Sequence, residues 1–244
     1  MIPGLDWSRP WYAPWAQTGR QVAAAIANGR RPHDALNDAG SPVLGVAQDA
    51  LPAGMPYERF IFETGTCPVR EGLHDFFNGL CWIGLPRTKR ALNALQAAEI
   101  ARHGGVGGRR GPVRDAITVF DENGLLLDAS QPLWDALLAR DWRRLFVDLR
   151  PSWGQARVLI VGHALLEKLA APRKDMTGHV WAAPCPLSEG IDAADAWLAA
   201  QCTPERLAAK PFTPLPVLGI PGWSPENENF SFYDDSVVFR PRRR

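Results

Sequence analysis

Residues 74–95, HDFFNGLCWIGLPRTKRALNAL, constrain the fold more than any other stretch of this chain. The run is mostly apolar and reads as two helices joined at Pro86. In the first, Leu73, Phe76, Phe77, Leu80 and Ile83 recur at helical spacing and form one apolar stripe. Trp82 points to the opposite side, so this helix is expected to be covered on both faces. His74, Asp75 and Asn78 interrupt the apolar surface. Asn and Asp compete with the helix backbone for hydrogen bonds and sit poorly in helix interiors. A buried network, a ligand or a metal has to offset that cost. In the second helix Ala91, Leu92, Leu95 and Ala98 face inward, with Lys89, Asn93 and Gln96 on the other side.

A chain of 244 residues suffices for one large domain or two small ones, and needs no disulfide or metal merely to fold. Its four cysteines, Cys67, Cys81, Cys185 and Cys202, form no C-x-x-C pair. That removes zinc-knuckle and thioredoxin-like motifs and suggests a reducing cytoplasm. The net charge of +1 implies no general attraction to nucleic acid or membranes. The first residues, MIPGLDWSRPWYAPWAQTG, lack the basic and apolar regions of a secretory signal. No run approaches the roughly 18 apolar residues of a membrane helix.

Residues 1–20 carry Trp7, Trp11, Tyr12 and Trp15 among prolines and read as an irregular aromatic arm lying on the domain. QVAAAIANG at 21–29 reads as a short helix, 31–56 as turn-rich, and YERFIF at 57–62 as a strand. HGGVGGRRG at 103–111 reads as a loop. AITVF, DENG and LLL suggest a β-hairpin over 116–127, with Asn123-Gly124 at its turn. SQPLWDALLARDW reads as a helix with Ser130 at its start, ARVLIV at 156–161 as a buried strand, and GHALLEKLAA as a helix ended by Pro172. IDAADAWLAAQ at 191–201 is helical, and from residue 210 a proline-rich tail wraps the domain. Helices and strands mix without βαβ alternation. The expected fold is therefore α+β: a single domain over 1–244 with several helices, a small mostly antiparallel sheet and irregular wrapping termini.

HDFFNGLCWIGLPRTKRALNAL, RDAITVFDENG, VLIVGHALLEKL and PLPVLGIPGWSPENENFSFYDD, in that order, resemble an uncharacterised bacterial family known only as a domain of unknown function. The resemblance runs from about Arg70 to Arg240. It implies a soluble bacterial protein and supplies no reaction, cofactor or catalytic residue, so candidate sites must come from the residues.

Four constellations stand out. His74 and Asn78, at i and i+4, share a helix face and can touch one ligand. Asp75 projects about 100° away and calls for a partner such as Arg70 or Arg114. His163 and Glu167 repeat the i, i+4 spacing; with His179 they supply two imidazoles and a carboxylate, a known zinc or iron ligand set, in the order H-x-x-x-E rather than H-E-x-x-H. From Arg87 to Arg114, seven Lys or Arg residues face the single acid Glu99 around a glycine-rich loop that lacks the P-loop motif. The tail carries Trp223, Asn227, Asn229, Phe230, Phe232, Tyr233, Asp234 and Asp235. Each group has an ordinary structural alternative: a satisfied polar network, a solvated His–Glu pair, a solvated helix face, or aromatic anchors. No G-x-S-x-G elbow marks a serine hydrolase. Cys81 lies about 10 Å along the helix from His74, too far for a nucleophile–base pair.

The leading expectation is a metal-dependent hydrolase. His74, His163 and His179 would hold a divalent metal such as zinc, Glu167 (or Asp115) would act as base, and Asp75 and Asn78 would orient substrate. The expected partner is a small molecule or anionic ligand. The alternatives are an anion- or nucleic-acid-binding protein using Arg87–Arg114, and a structural or adaptor protein without a small-molecule site.

Overall fold

The two helices foreseen across residues 74–95 form as α4 and α5 at the centre of an α+β fold. The computed structural model describes residues 4–102 and 111–242. A 3₁₀ helix (Pro10–Trp15) leads into α1 (Ala16–Ala27), α2 (Pro32–Asp38), β1 (Leu44–Ala47), α3 (Tyr57–Thr64), β2 (Thr66–Val69), α4 (Leu73–Gly84) and α5 (Pro86–Arg102). Then follow α6 (Pro112–Asn123), β3 (Gly124–Asp128), α7 (Gln131–Ala139), β4 (Arg157–Ile160) and α8 (His163–Lys168). The chain ends through β5 (Thr177–Trp181), α9 (Ile191–Gln201), α10 (Pro204–Ala208), β6 (Phe212–Pro216) and short 3₁₀ turns. The loop read over 103–111 lies outside the described residues except for Gly111.

The larger sheet has the order β4-β3-β5-β6. β3 pairs antiparallel with β4 and parallel with β5, and β5 pairs antiparallel with β6. β1 and β2 form a separate parallel pair. One main core joins the aromatic arm, the sheet and the apolar stripe of α4, where Phe76, Phe77 and Leu80 are fully buried. Trp82 faces a second, small cluster with Val43, Ile61 and Cys67, so α4 is covered on both faces as its sequence suggests. The arm is helical where it touches the core. The Tyr12 ring stacks on Phe77, and its hydroxyl donates to Leu166 O at 2.9 Å.

Several sequence expectations are overturned. YERFIF is helical (α3), not a strand: the adjacent residues Phe60 and Ile61 are both buried, which a strand would place on opposite faces. Gly65, at φ 66°, ends this helix in the left-handed conformation that glycine adopts freely. The expected hairpin over 116–127 is instead α6 followed by β3. Val113, Ala116, Ile117 and Phe120 bury one helical stripe that outweighs the β propensity of ITVF, and Pro112 fits the first turn. Gly124 has φ −72°, so no Asn-Gly hairpin turn forms. The turn-rich stretch 31–56 contains α2 and β1, and the tail contributes β6 to the sheet. No helix among the described residues is long and apolar enough to cross a membrane.

Candidate functional site

A cavity of about 360 Å³ opens between α3, α4, α5, α6 and the start of α8. His74, Asp75 and Asn78 from α4 line it, together with Lys89 and Gln96 from α5, Asp121 from α6 and His163 from α8. Two backbone features deliver the imidazoles. Gly72 precedes α4 with φ 131°, a conformation side chains rarely adopt, and so starts the helix that carries His74. Gly162 lies against the end of α6. A Cβ there would stand 2.4 Å from both Asn123 N and Glu122 O, so only glycine lets α8 begin this close to Asp121.

The result is a row of titratable groups. Glu167 Oε2 lies 2.9 Å from His74 Nδ1, and His74 Nε2 lies 3.1 Å from His163 Nε2. The two rings meet edge to face, 4.5 Å between centroids. His163 Nδ1 faces Asp121 Oδ2 at 3.6 Å, beyond hydrogen-bond range, and has no hydrogen-bond partner. Asp121 Oδ1 accepts from Lys89 Nζ at 2.5 Å. The row grades from open to closed: the His74 side chain is 41% exposed, that of His163 only 8%. Burial above all, with Lys89 and His74 adding, pushes the His163 pKa down to about 4 against the pull of Asp121. Burial raises the Asp121 pKa, but Lys89 first and His163 next outweigh it and leave this carboxyl below its ordinary value.

Proton counting sets what this row can do. With Glu167 ionised, His74 donates from Nδ1, and the Nε2–Nε2 contact needs one further proton. If His74 supplies it, His74 is an imidazolium countered by Glu167, and His163 keeps its proton on Nδ1 toward Asp121. If His163 supplies it, His74 is neutral, and His163 turns a bare Nδ1 toward a carboxylate. The 3.1 Å contact therefore ties the tautomer of the buried ring to the hydrogen bonding of the exposed one.

The remaining candidates are placed as follows. Asp75 accepts from Arg70 through both guanidinium contacts, at 2.9 and 3.0 Å, and from the Arg70 backbone at 2.6 Å. Asn78 Nδ2 donates to Tyr57 OH, which contacts Cys67 Sγ at 3.1 Å. Burial first, with Cys67 adding, drives the Tyr57 hydroxyl well above its ordinary pKa, so it stays protonated. Cys81 donates to Val161 O at 3.3 Å, and burial raises its thiol to about 12. His163 and Glu167 do not bond each other; both turn to His74.

His179 is not brought to this cavity. It sits in β5, in register with Gly124 on one side and Pro214 on the other, and burial lowers its pKa. Asp115, six residues before Asp121 on α6, does not line the cavity either. No group of three His, Cys, Asp or Glu residues with metal-holding geometry occurs among the described residues.

The basic stretch is largely committed within the fold. Lys89 pairs with Asp121, Arg87 with Asp192, and Arg102 with Glu99; Arg90 donates to Pro42 O, whereas Arg114 is buried with its Nε unpartnered among the described residues. Arg109 and Arg110 lie outside the described residues. In the tail, Trp223, Asn227, Phe232 and Tyr233 are buried, and Asp235 pairs with Lys174 at 3.2 Å.

Sequence reasoning missed Lys89, Gln96 and Asp121 as cavity residues. Lys89, Asn93 and Gln96 recur at i, i+4 and i+7 on one face of α5, a polar stripe that serves a cavity as readily as solvent. Asp121 was concealed in DENG, which carries the signature of a turn.

The chain belongs to the family described as a protein of unknown function (DUF3025), whose model matches residues 44–243. The match takes in α4, α5, α6 and α8, and so every helix that supplies the imidazole row. No curated protein and no solved structure matches the chain.

Proposed function

We propose that this protein is an enzyme acting by general acid–base catalysis on a small molecule in the 360 Å³ cavity, with His74 as the proton-transferring group. The observation that carries the proposal is the His74–His163 contact at 3.1 Å, with Glu167 bonded to the first imidazole and Asp121 facing the second. Neutral His163 and ionised Glu167 position the His74 ring and let it take up or release one proton without a full charge entering the buried end. Asp75 holds Arg70, and Asn78 holds Tyr57, so these act as positioning groups rather than as acid or base.

His74 also borders a shallower depression facing solvent, with Arg70, Asp75 and Glu167. Water reaches the imidazole from that side while substrate occupies the cavity, which favours hydrolysis among acid–base reactions. The metal expectation changes form here. With His179 on the sheet, two imidazoles are the nitrogen ligands that could meet at one point, whereas catalytic zinc sites usually use three protein ligands.

The test is ¹⁵N NMR of the histidine side chains across pH, run with metal analysis of protein purified without chelator. The expected result is coupled behaviour: His163 stays neutral through pH 6, and the ring-nitrogen shifts of the two histidines change together. Independent, ordinary titration of the two rings would overturn the proposal. So would one tightly held divalent metal per chain that His163→Gln removes. Once a substrate is found, His74→Gln should cost about 10²–10⁴-fold in kcat, the usual share of one acid–base group.

A further inference from the structure

Two buried side chains of α5, Lys89 and Gln96, bring unspent N–H groups to the cavity they line. Lys89 is 5% exposed, and its ammonium carries three N–H donors. Asp121 Oδ1 takes one, and the Trp82 ring lies 5.5 Å from Nζ. No other acceptor meets the ammonium among the described residues. Gln96 is 6% exposed, and its side chain makes no hydrogen bond among the described residues. Its Oε1 is sealed in protein, whereas Nε2, also without a partner, is not sealed, so the amide meets the cavity through its N–H groups. Buried side-chain donors are rarely left in that state.

We infer that the cavity binds a small uncharged carbonyl compound with two acceptor oxygens, one taken by Lys89 Nζ and the other by Gln96 Nε2. This rests on the same cavity being the reaction site and adds the class of its substrate. The two donors are rooted two helical turns apart, about 10 Å along α5, so a short chain between the carbonyls spans them with the reach of both side chains. Asp121 stands between Lys89 and His163, which puts the oxygen on Lys89 at the imidazole end of the cavity. Leu92 of α5, Ile61 of α3 and Ile117 of α6 supply an apolar wall for the hydrocarbon body. A carboxylate ligand is disfavoured, because half-buried Glu58 and Glu122 line the same cavity and like charges repel strongly away from water. An amine is disfavoured because it would present N–H groups to N–H groups at both donors. A neutral carbonyl oxygen accepts from the ammonium without adding charge to the cleft.

The experiment is an NMR titration of the full chain that reads the Lys89 ammonium and the Gln96 side-chain amide. The probe is N,N,N′,N′-tetramethyladipamide, which has two carbonyl acceptors and no N–H. Adipate and hexamethylenediamine are charged probes of matching length. Tetramethyladipamide should shift both signals saturably at one per chain, with each charged probe about tenfold weaker or silent. Gln96→Leu should weaken it about fivefold, the scale of one neutral hydrogen bond. Lys89→Met/Asp121→Leu should weaken it about tenfold, the scale of a charge-assisted one. This double substitution removes the ion pair as a unit and leaves neither partner charged and alone. Thermal unfolding checks that each variant folds, and the shifts in the native chain decide the inference where one does not.

Tighter binding of adipate or hexamethylenediamine, no saturable binding of tetramethyladipamide, shifts that bypass Lys89 and Gln96, or binding that ignores both variants would each overturn the inference. Its failure is separable from that of the acid–base proposal. Coupled histidines without tetramethyladipamide binding remove only the substrate class. Tetramethyladipamide binding with independently titrating histidines removes only the proton-transfer role.

Discussion

The cavity cluster and the C-terminal tail look alike in sequence: each sets Asn and acidic residues among aromatic ones. Their hydrogen bonding separates them. In the tail, Asn227 is fully buried. Its Nδ2 donates to Leu218 O and Ile220 O, both at 2.8 Å, and its Oδ1 accepts from Arg150 at 3.2 Å. Arg150 also pairs with Glu228 and donates to Tyr233 OH, which donates to Gly219 O at 2.9 Å. The polar groups of this network find their partners inside the protein, so it works as a strut. Around the cavity two fully buried atoms, His163 Nδ1 and Gln96 Oε1, have no hydrogen-bond partner among the described residues. A network built only for stability would not carry that cost. Unpaired polar groups in the walls of a cavity separate the two regions where residue types do not.

The cavity does contain one strut of its own, and breaking it should give the largest effect. Lys89 is 5% exposed, and its ammonium is bonded to Asp121. Lys89→Met leaves Asp121 without its cation and should cost about 4 kcal/mol in urea unfolding. Adding Asp121→Leu should recover most of that loss. If the single variant lost less than about 1 kcal/mol, the pair would be a screened surface contact. Next comes the tail. Asn227→Leu strands the Leu218 carbonyl and the Arg150 donor, leaves Ile220 O with Trp223 N alone, and should cost about 3 kcal/mol, with the His74–His163 coupling unchanged. Loss of the histidine coupling along with this stability would erase the distinction between the two regions.

The split between what could and could not be read from sequence follows the same physics. His74, Asp75 and Asn78 were legible because polar residues on an apolar helix violate its pattern, and Arg70 was a foreseeable partner for Asp75. The α+β class followed from local periodicity, and α9 has the bounds its sequence suggests. The direct contact of His74 with His163 was not legible; the two were joined only through an expected metal that also took in His179. It joins residues 89 apart and depends on Gly162 pressing α8 onto α6, a tertiary contact without local signature. Reading residues 116–127 as a hairpin hid Asp121, and counting histidines drew in His179, whose place is set by strand register. Short apolar runs such as YERFIF carry both periods at once, and burial on two sides decided for helix.

A pH titration sharpens the contrast without altering the tail. His163 has its pKa depressed to about 4 in the folded protein, against about 6.5 unfolded. The unfolded chain therefore binds this proton first. The contribution of neutral His163 is fully present above pH 6.5 and is lost as pH falls from 6.5 toward 4. The total is about 3 kcal/mol, from roughly 1.4 kcal/mol per pKa unit. The groups facing the ring are Asp121 on α6, Lys89 on α5 and His74 on α4, with Glu167 reaching it through His74. Urea midpoints at pH 7 and pH 4.5 should differ markedly in the native chain and much less in His163→Gln. An equal slope in both would place the acid sensitivity elsewhere.

The smallest expected effect discriminates best. Gln96 Oε1 is a buried acceptor without a partner, so the folded protein already bears its desolvation cost, about 1–3 kcal/mol by analogy with other stranded polar groups. Gln96→Leu has a similar volume and removes the stranded atom. Stability should stay within about 0.5 kcal/mol or rise, even though the residue is 6% exposed. Asn227, equally buried, should behave in the opposite way, because every polar atom it loses has a partner. If Gln96→Leu instead cost more than about 1 kcal/mol in urea unfolding, Gln96 would be holding the fold, and the cavity would join the tail as a strut. If stability is kept or rises, the glutamine stands where leucine would serve the fold as well, as is common where sites and cores compete for the same positions.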